Sequence, residues 1–263
     1  MFLTEAEKKL GDEFESKGYI IRPVADQSAF ESIESTISRC ISDQIKCPLG
    51  ENIEWLNNTH KKIKIENLND FRLKIIQGIN SEANFRRWYF LTARPYLDVL
   101  VGNELAMQMK VNLSIQLPQD ASSLLPVHAD TWSGDSPFEV VVWLPLVDCY
   151  KTKTMFLLPP KKAKILSEKF ADKANGNSES LFKSIENDVE WITIKRGEVM
   201  IFNQTLPHGN RINLERETRW SMNCRFKGVF TPYADKKIGE FFEPVTLRRV
   251  SETSMAYSLP NLK

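Results

Sequence analysis

No apolar run in these 263 residues approaches the length of a membrane span, and the amino-terminal stretch MFLTEAEKKLGDEF is too charged for a secretory leader. Charge of one sign is missing too. The formal net charge is +1, which excludes a general electrostatic pull towards nucleic acid or a membrane surface. Cysteine is sparse: Cys40, Cys47, Cys149 and Cys224 stand apart with no C-x-x-C pair, so they read as reduced structural thiols of a cytoplasmic protein, not as a disulfide framework. Histidine is scarcer still, with three in the chain. Internal repeats and low-complexity tracts are absent. What remains is an ordinary globular composition, in a length that a β-barrel or sandwich commonly fills as one domain, here expected over 1–263.

Local patterns divide that span into a helix-rich support (1–105), a barrel core (106–230) and a carboxy-terminal extension (231–263), which either covers the barrel or makes a subunit contact. Thr4-x-x-Glu7 predicts a capping box opening a helix that Gly18 stops. Residues 19–24 read as a strand with Pro23 at its edge. Phe30, Ile33, Ile37 and Ile41 recur at helical spacing after a cap at Asp26 or Ser28. Residues 43–65 are polar and irregular, with His60 read as a surface residue. A helix around 69–79 leads into an aromatic-rich helical stretch at 84–102, suited to packing on a sheet.

From 106 the hydrophobic period changes to two. Met107, Met109, Val111, Leu113 and Ile115 share one face; Gln108, Lys110, Asn112, Ser114 and Gln116 share the other. The polar face is either a solvent-exposed edge or a barrel lining, where Asn112 or Gln116 would hydrogen-bond a bound acid. A turn at 131–137, a buried strand at 138–148 and another strand at 152–160 follow. The charged excursion at 161–190 is either a lid or a surface insertion. Residues 191–202 read as a hairpin turning at Arg196-Gly197.

The chemistry concentrates between 125 and 226. On an extended segment residues i and i+2 point the same way, so His128 and Asp130 offer an imidazole and a carboxylate to one cation. His208 supplies a third ligand. Two histidines and one carboxylate form a facial triad that holds iron(II) by one face and leaves positions open for oxygen chemistry. Eleven residues past His208, Arg219 and Ser221 begin an alternation in which Arg219, Ser221, Asn223 and Arg225 face one way and Trp220, Met222, Cys224 and Phe226 the other. A guanidinium fork binds carboxylates bidentately. An anion pocket beside a metal site suggests a dicarboxylate co-substrate, with solvent exposure of the polar face as the plainer alternative.

Five pieces of the chain carry a family resemblance: His128-x-Asp130, the Trp143-to-Asp148 stretch WLPLVD, Gly197-Glu198-Val199 to Phe202, His208-Gly209 with Asn213, and Arg219-x-Ser221. Together they resemble the phytanoyl-CoA hydroxylase-like branch of the iron(II)/2-oxoglutarate oxygenases. The resemblance implies a double-stranded β-helix, a jelly-roll barrel with flanking helices. It implies iron(II) on His128, Asp130 and His208, and 2-oxoglutarate anchored by Arg219 and Ser221, with O₂ as oxidant and Trp143 packed nearby. One departure concerns the substrate side: Pro159-Pro160-Lys161-Lys162 stands where the family closes a strand with Pro-Gly-Ser-His.

The turn at 131–137 and residues 151–155 look most like oxygenases of carbohydrate biosynthesis. A sugar-derived small molecule, contacted by Trp132, Asn223 and Arg225, is the substrate so implied, with hydroxylation, desaturation or epimerisation as outcome. A zinc hydrolase on the same ligands and a non-catalytic sugar-binding jelly roll are the alternatives.

Overall fold

The computed structural model describes residues 2–46, 52–168, 170 and 177–260; Cys47 and the centre of the 161–190 excursion lie outside them. Helices come first. α1 (Glu5–Lys17) opens on the expected capping box, with Thr4 Oγ1 accepting from the Glu7 N–H and the Glu7 carboxylate accepting from Thr4 N–H. It ends at Gly18, whose φ of +82° suits glycine and where a Cβ would collide with Leu206. β1 (Tyr19–Pro23) follows, then α2 (Gln27–Ile45), capped by Asp26 accepting from Ala29 N–H at 2.9 Å. The stripe of Phe30, Ile33, Ile37 and Ile41 on α2 is wholly buried. α3 (Asn52–Asn57), α4 (Ile65–Ser81), α5 (Phe85–Leu91) and α6 (Arg94–Leu100) complete the layer.

Among the described residues, the polar segment 43–65 holds the end of α2, α3 and a single 3-10 turn at Thr59–Lys61, so its polar composition does not exclude regular structure there. His60 is half-buried rather than on the surface. Its Nδ1 lies 3.1 Å from Thr218 Oγ1, buttressing the approach to the strand that carries Arg219.

The strands β2 (Leu105–Gln108), β3 (Asn112–Gln116) and β4 (Glu139–Pro145) precede β5 (Phe156–Leu157), α7 (Pro160–Glu168) and α8 (Ser178–Ile185). Then come β6 (Glu190–Trp191), β7 (Glu198–Asn203), β8 (His208–Gly209), β9 (Arg219–Gly228), β10 (Phe242–Pro244) and α9 (Arg249–Met255). The larger sheet has the order β1-β7-β4-β9-β2-β10, with β3 also paired to β9; the smaller has the order β6-β5-β8. Every pairing between these strands is antiparallel.

Three expectations change here. The strand expected from 106 to 116 is two strands, because Met109 N–H bonds to the Phe241 carbonyl and Val111 N–H to Asn80 Oδ1, diverting the backbone from β9. The hairpin at 191–202 does not form: the turn at Gly197 (φ +84°) carries the chain from β6 in one sheet to β7 in the other. The strand at 152–160 narrows to Phe156–Leu157. In the extension, β10 covers the β2 edge, and α9 buries no residue. No described helix is long and apolar enough to cross a membrane.

The helical layer packs on the apolar face of the larger sheet. At the junction Trp220, fully buried, meets Trp55 and Phe71 edge-on and donates its indole N–H to Thr59 Oγ1 at 2.9 Å. Trp220→Ala is expected to lower unfolding free energy by about 3–5 kcal/mol in urea titration, through lost burial and a cavity that rigid neighbours cannot close. A loss under about 1 kcal/mol would place this junction outside the cooperative core. Lys153 is buried and donates to Asn57 Oδ1 of α3 and to Glu217 Oε2 just before β9, both at 2.7 Å, so this lysine ties the 151–155 stretch to the helical layer.

Candidate metal centre

His128 and His208 are brought together by backbone. His128 N–H bonds to the His208 carbonyl at 3.0 Å, and His208 N–H returns to the His128 carbonyl at 2.8 Å. Gly209 permits this approach, since a Cβ there would lie 2.7 Å from the Leu125 carbonyl oxygen. Ala129 is extended (φ −116°, ψ 138°) and buried, so His128 and Asp130 emerge on the same side, as their spacing predicts. Asp130 N–H is held by the Gln204 carbonyl. One ligand atom from each of His128, Asp130 and His208 lies within 4.8 Å of the others, close enough to share one metal ion.

The imidazoles are oriented for that task. Nδ1 of His128 lies 2.8 Å from the Pro126 carbonyl, and Nδ1 of His208 lies 2.8 Å from the Leu206 carbonyl. Each Nδ1–H is thus donated to the backbone, which leaves the Nε2 lone pairs for a cation. Burial, reinforced by the neighbouring His128, pushes His208 down to about 4, so it is neutral and ready to ligate near pH 7. Burial also works against charge on His128, but its hydrogen bonds to Asp130 and the Pro126 carbonyl prevail and raise it. Burial would raise Asp130 as well; His128, His208 and Arg225 outweigh it and hold that carboxyl down at about 2.

Arg225 contacts the ligand set directly. Its Nη2 lies 3.0 Å from Asp130 Oδ1, and its Nε donates to Gln204 Oε1 at 3.1 Å and approaches Asp135 at 3.5 Å. Expected as a substrate contact, it lines the cavity and is also engaged by a candidate ligand. Asp135 in turn is held by Lys236 at 2.7 Å.

These groups open on a cavity of about 460 Å³ between the two sheets, walled by Val141, Trp143, Met155 and Phe202. The polar face of β9 points into it: Arg219, Ser221, Asn223 and Arg225 all line the cavity, as does Asn112, which donates to Asn223 Oδ1 at 3.0 Å. The alternation therefore marks an interior face rather than a solvent-exposed one.

Arg219 is buried with no carboxylate partner among the described residues. Its Nη1 donates to the Thr154 carbonyl at 2.9 Å and its Nη2 to Ser114 Oγ at 3.0 Å, while Nε has no partner. Burial lowers it to about 10. Ser221 Oγ, Thr154 Oγ1 and Gln116 Oε1 are buried and unpartnered beside it. Buried polar atoms are nearly always satisfied, so the guanidinium and the two orphaned hydroxyls together form a set of donors able to bind an anion.

Ser114 and Thr154 were not singled out from sequence. Ser114 sits opposite Ser221 in the β3–β9 register, and the polar face of β3 was the signal that could have found it. Gln116 lies opposite Arg219 and donates one N–H of its amide to the Arg211 carbonyl at 2.7 Å. Trp132 stands outside the cavity. The 3-10 turn at Asp130–Ser133 swings it outward, where it is 45% exposed and packs on Phe170.

No family model and no curated protein matches the sequence. Solved structures do match. EctD from S. alaskensis, solved with 2-oxoglutarate and 5-hydroxyectoine, is 14% identical, with 89% of this chain and 80% of that chain covered and a TM-score of 0.57. SnoK, a non-heme alpha ketoglutarate dependent carbocyclase from nogalamycin biosynthesis, is 13% identical over 93% of this chain and 97% of its own, with a TM-score of 0.56. HygX from Streptomyces hygroscopicus, with nickel and 2-oxoglutarate bound, is 14% identical over 88% and 89%, with a TM-score of 0.51. The fold is thus the one these proteins share, a double-stranded β-helix with helices packed against it.

Proposed function

We propose that this protein is an iron(II)- and 2-oxoglutarate-dependent oxygenase acting on a small polar metabolite. One observation carries the reading: a single cavity holds both a two-histidine, one-carboxylate ligand set and a buried guanidinium lacking its anion. When bound, iron(II) with 2-oxoglutarate and O₂ supplies the power to oxidise a C–H bond, the co-substrate leaving as succinate and CO₂. His128, Asp130 and His208 would hold the metal by one face. Arg225 keeps the Asp130 carboxylate oriented and charged. Arg219 would pair with the distal carboxylate of the co-substrate, its fork fixed by Ser114 and the Thr154 carbonyl, with Ser221 and Thr154 hydroxyls free to donate. Gln116 gives one amide N–H to the Arg211 carbonyl, which leaves its second N–H and its unpartnered Oε1 for a bound group. Trp143 and Phe202 close the walls against water.

The motif spacing supports the phytanoyl-CoA hydroxylase-like branch, hydroxylation as the outcome and a carbohydrate-derived substrate held partly by Asn112 and Asn223. The buried free thiols of Cys40, Cys149 and Cys224 suit a cytoplasmic setting. A zinc hydrolase on the same ligands would leave the orphaned Arg219 without a role.

Anaerobic titration of metal-free protein with iron(II), then with 2-oxoglutarate, tests the proposal. A visible charge-transfer band saturating near one equivalent is expected. Iron binding without a band would remove the co-substrate from the reading, and absence of iron binding would overturn it.

A further inference from the structure

The cavity is lined by three arginines, Arg72, Arg219 and Arg225, and by one carboxylate, Asp130. Arg225 is taken by Asp130, and Arg219 is claimed by the co-substrate in the function proposed above, on which the following inference rests. Arg72 belongs to neither. It comes from α4 in the helical layer, which packs against β3, and it reaches the cavity from outside the barrel. The residue is half-buried, and its one side-chain hydrogen bond among the described residues goes from Nη2 to Asn69 Oδ1 at 2.7 Å. No carboxylate of the described residues stands within 4 Å of it. A guanidinium at a cavity mouth with most of its donors open is a receptor for a further anionic group.

Charge balance leads to the same conclusion. Iron(II) and the 2-oxoglutarate dianion cancel. Asp130 and Asp135 offset Arg225 and Lys236, and Glu139 faces Lys227 across the β4–β9 pair. With co-substrate and metal in place, the pocket still carries a net positive charge, and Arg72 is the lining arginine left without an anionic partner among the described residues. A neutral substrate leaves that excess in a partly desolvated cavity, whereas an anionic one neutralises it. The rest of the lining adds no carboxylate and no further lysine or arginine: Val141, Trp143, Met155 and Phe202 give it apolar walls, and Ser122, Ser123, Asn210 and Asn223 are able to bond hydroxyls.

We infer that the substrate is an organic anion, a carboxylate or phosphate ester, whose charged group is bound by Arg72 at the cavity mouth while its reacting carbon points at the metal. An acidic or phosphorylated sugar fits both this charge and the hydroxyl-binding lining.

The test uses full-length protein loaded with nickel(II) and 2-oxoglutarate, so that Arg219 is occupied, and titrated calorimetrically with inorganic phosphate and separately with acetate. Wild-type protein is expected to bind at least one probe. Arg72→Gln should weaken the tighter probe by about tenfold or more, the scale of a charge-assisted hydrogen bond, and Arg72→Lys should keep part of the affinity. Affinity for 2-oxoglutarate and the melting temperature should not change in Arg72→Gln. Preference for phosphate assigns a phosphate ester and preference for acetate a carboxylate. Equal probe binding by wild type and Arg72→Gln, or none by loaded wild type, overturns the inference. Failure to load nickel or 2-oxoglutarate is seen before any probe is added, and it overturns the oxygenase reading itself.

Discussion

Asp130→Ala is expected to abolish divalent-metal binding at micromolar protein, measured by calorimetry with nickel(II) or by anaerobic iron(II) titration. Two effects add. The substitution removes the one negative charge among the three ligands, and it leaves the Arg225 guanidinium, 3.0 Å from the lost oxygen, facing the cation site with only Asp135, which it shares with Lys236, to offset it. A cation would then meet two imidazoles and a poorly compensated positive charge. Arg225→Gln separates the two effects. It keeps every ligand and loses only the group that orients Asp130, so metal affinity should fall by roughly ten- to hundredfold, the usual cost of removing a ligand's hydrogen-bond partner. If Asp130→Ala binds metal as weakly as Arg225→Gln and no worse, the carboxylate is not a ligand, and His128 and His208 must be completed by some other residue. Circular dichroism of both variants checks that the fold persists.

How much of this could be read from the sequence differs by residue. His128 and Asp130 were legible because an extended segment converts spacing directly into direction, and the alternation from Arg219 to Phe226 because β9 is one unbroken strand. The same rule misled at 106–116. The period of two runs on through Met109 and Val111, although Phe241 and Asn80, both remote in sequence, capture the backbone there. Adjacent strand patterns at 191–202 suggested a hairpin, yet pairing is decided by which sheet has a free edge, and β1, some 180 residues earlier, takes the other side of β7. Arg72 was invisible for a related reason. Nothing in an amphipathic helix says which of its polar residues will overhang a cavity; only the packing of α4 on β3 does. Thr154 reaches the site from a loop, where no period applies.

Arg219→Met is expected to eliminate 2-oxoglutarate binding while leaving metal affinity near wild type, because Arg219 makes no contact with His128, Asp130 or His208. The same variant carries a second, opposite consequence. Arg219 is a buried cation with an unpartnered Nε, flanked by the orphaned Ser221 and Thr154 hydroxyls. Until an anion arrives, that arrangement costs stability, and apolar replacement of a poorly compensated buried charge is commonly neutral or stabilising by about 1–4 kcal/mol. The ligand-free variant should therefore melt no lower than wild type and up to several degrees higher, at roughly 2–4 °C per kcal/mol for a chain of this size. With nickel and saturating 2-oxoglutarate the order should reverse. Wild type gains about 2.7 kcal/mol at a hundredfold excess over the dissociation constant, and the variant gains only what the metal gives. A crossing of the two melting curves on ligand addition is the signature of a residue kept for binding at the expense of the fold. If Arg219→Met melts well below wild type without ligand, its bonds to Thr154 and Ser114 are the larger contribution, and the anchor role must be judged on 2-oxoglutarate affinity alone. If it binds 2-oxoglutarate as wild type does, the anion for which this end of the cavity is built is a different one.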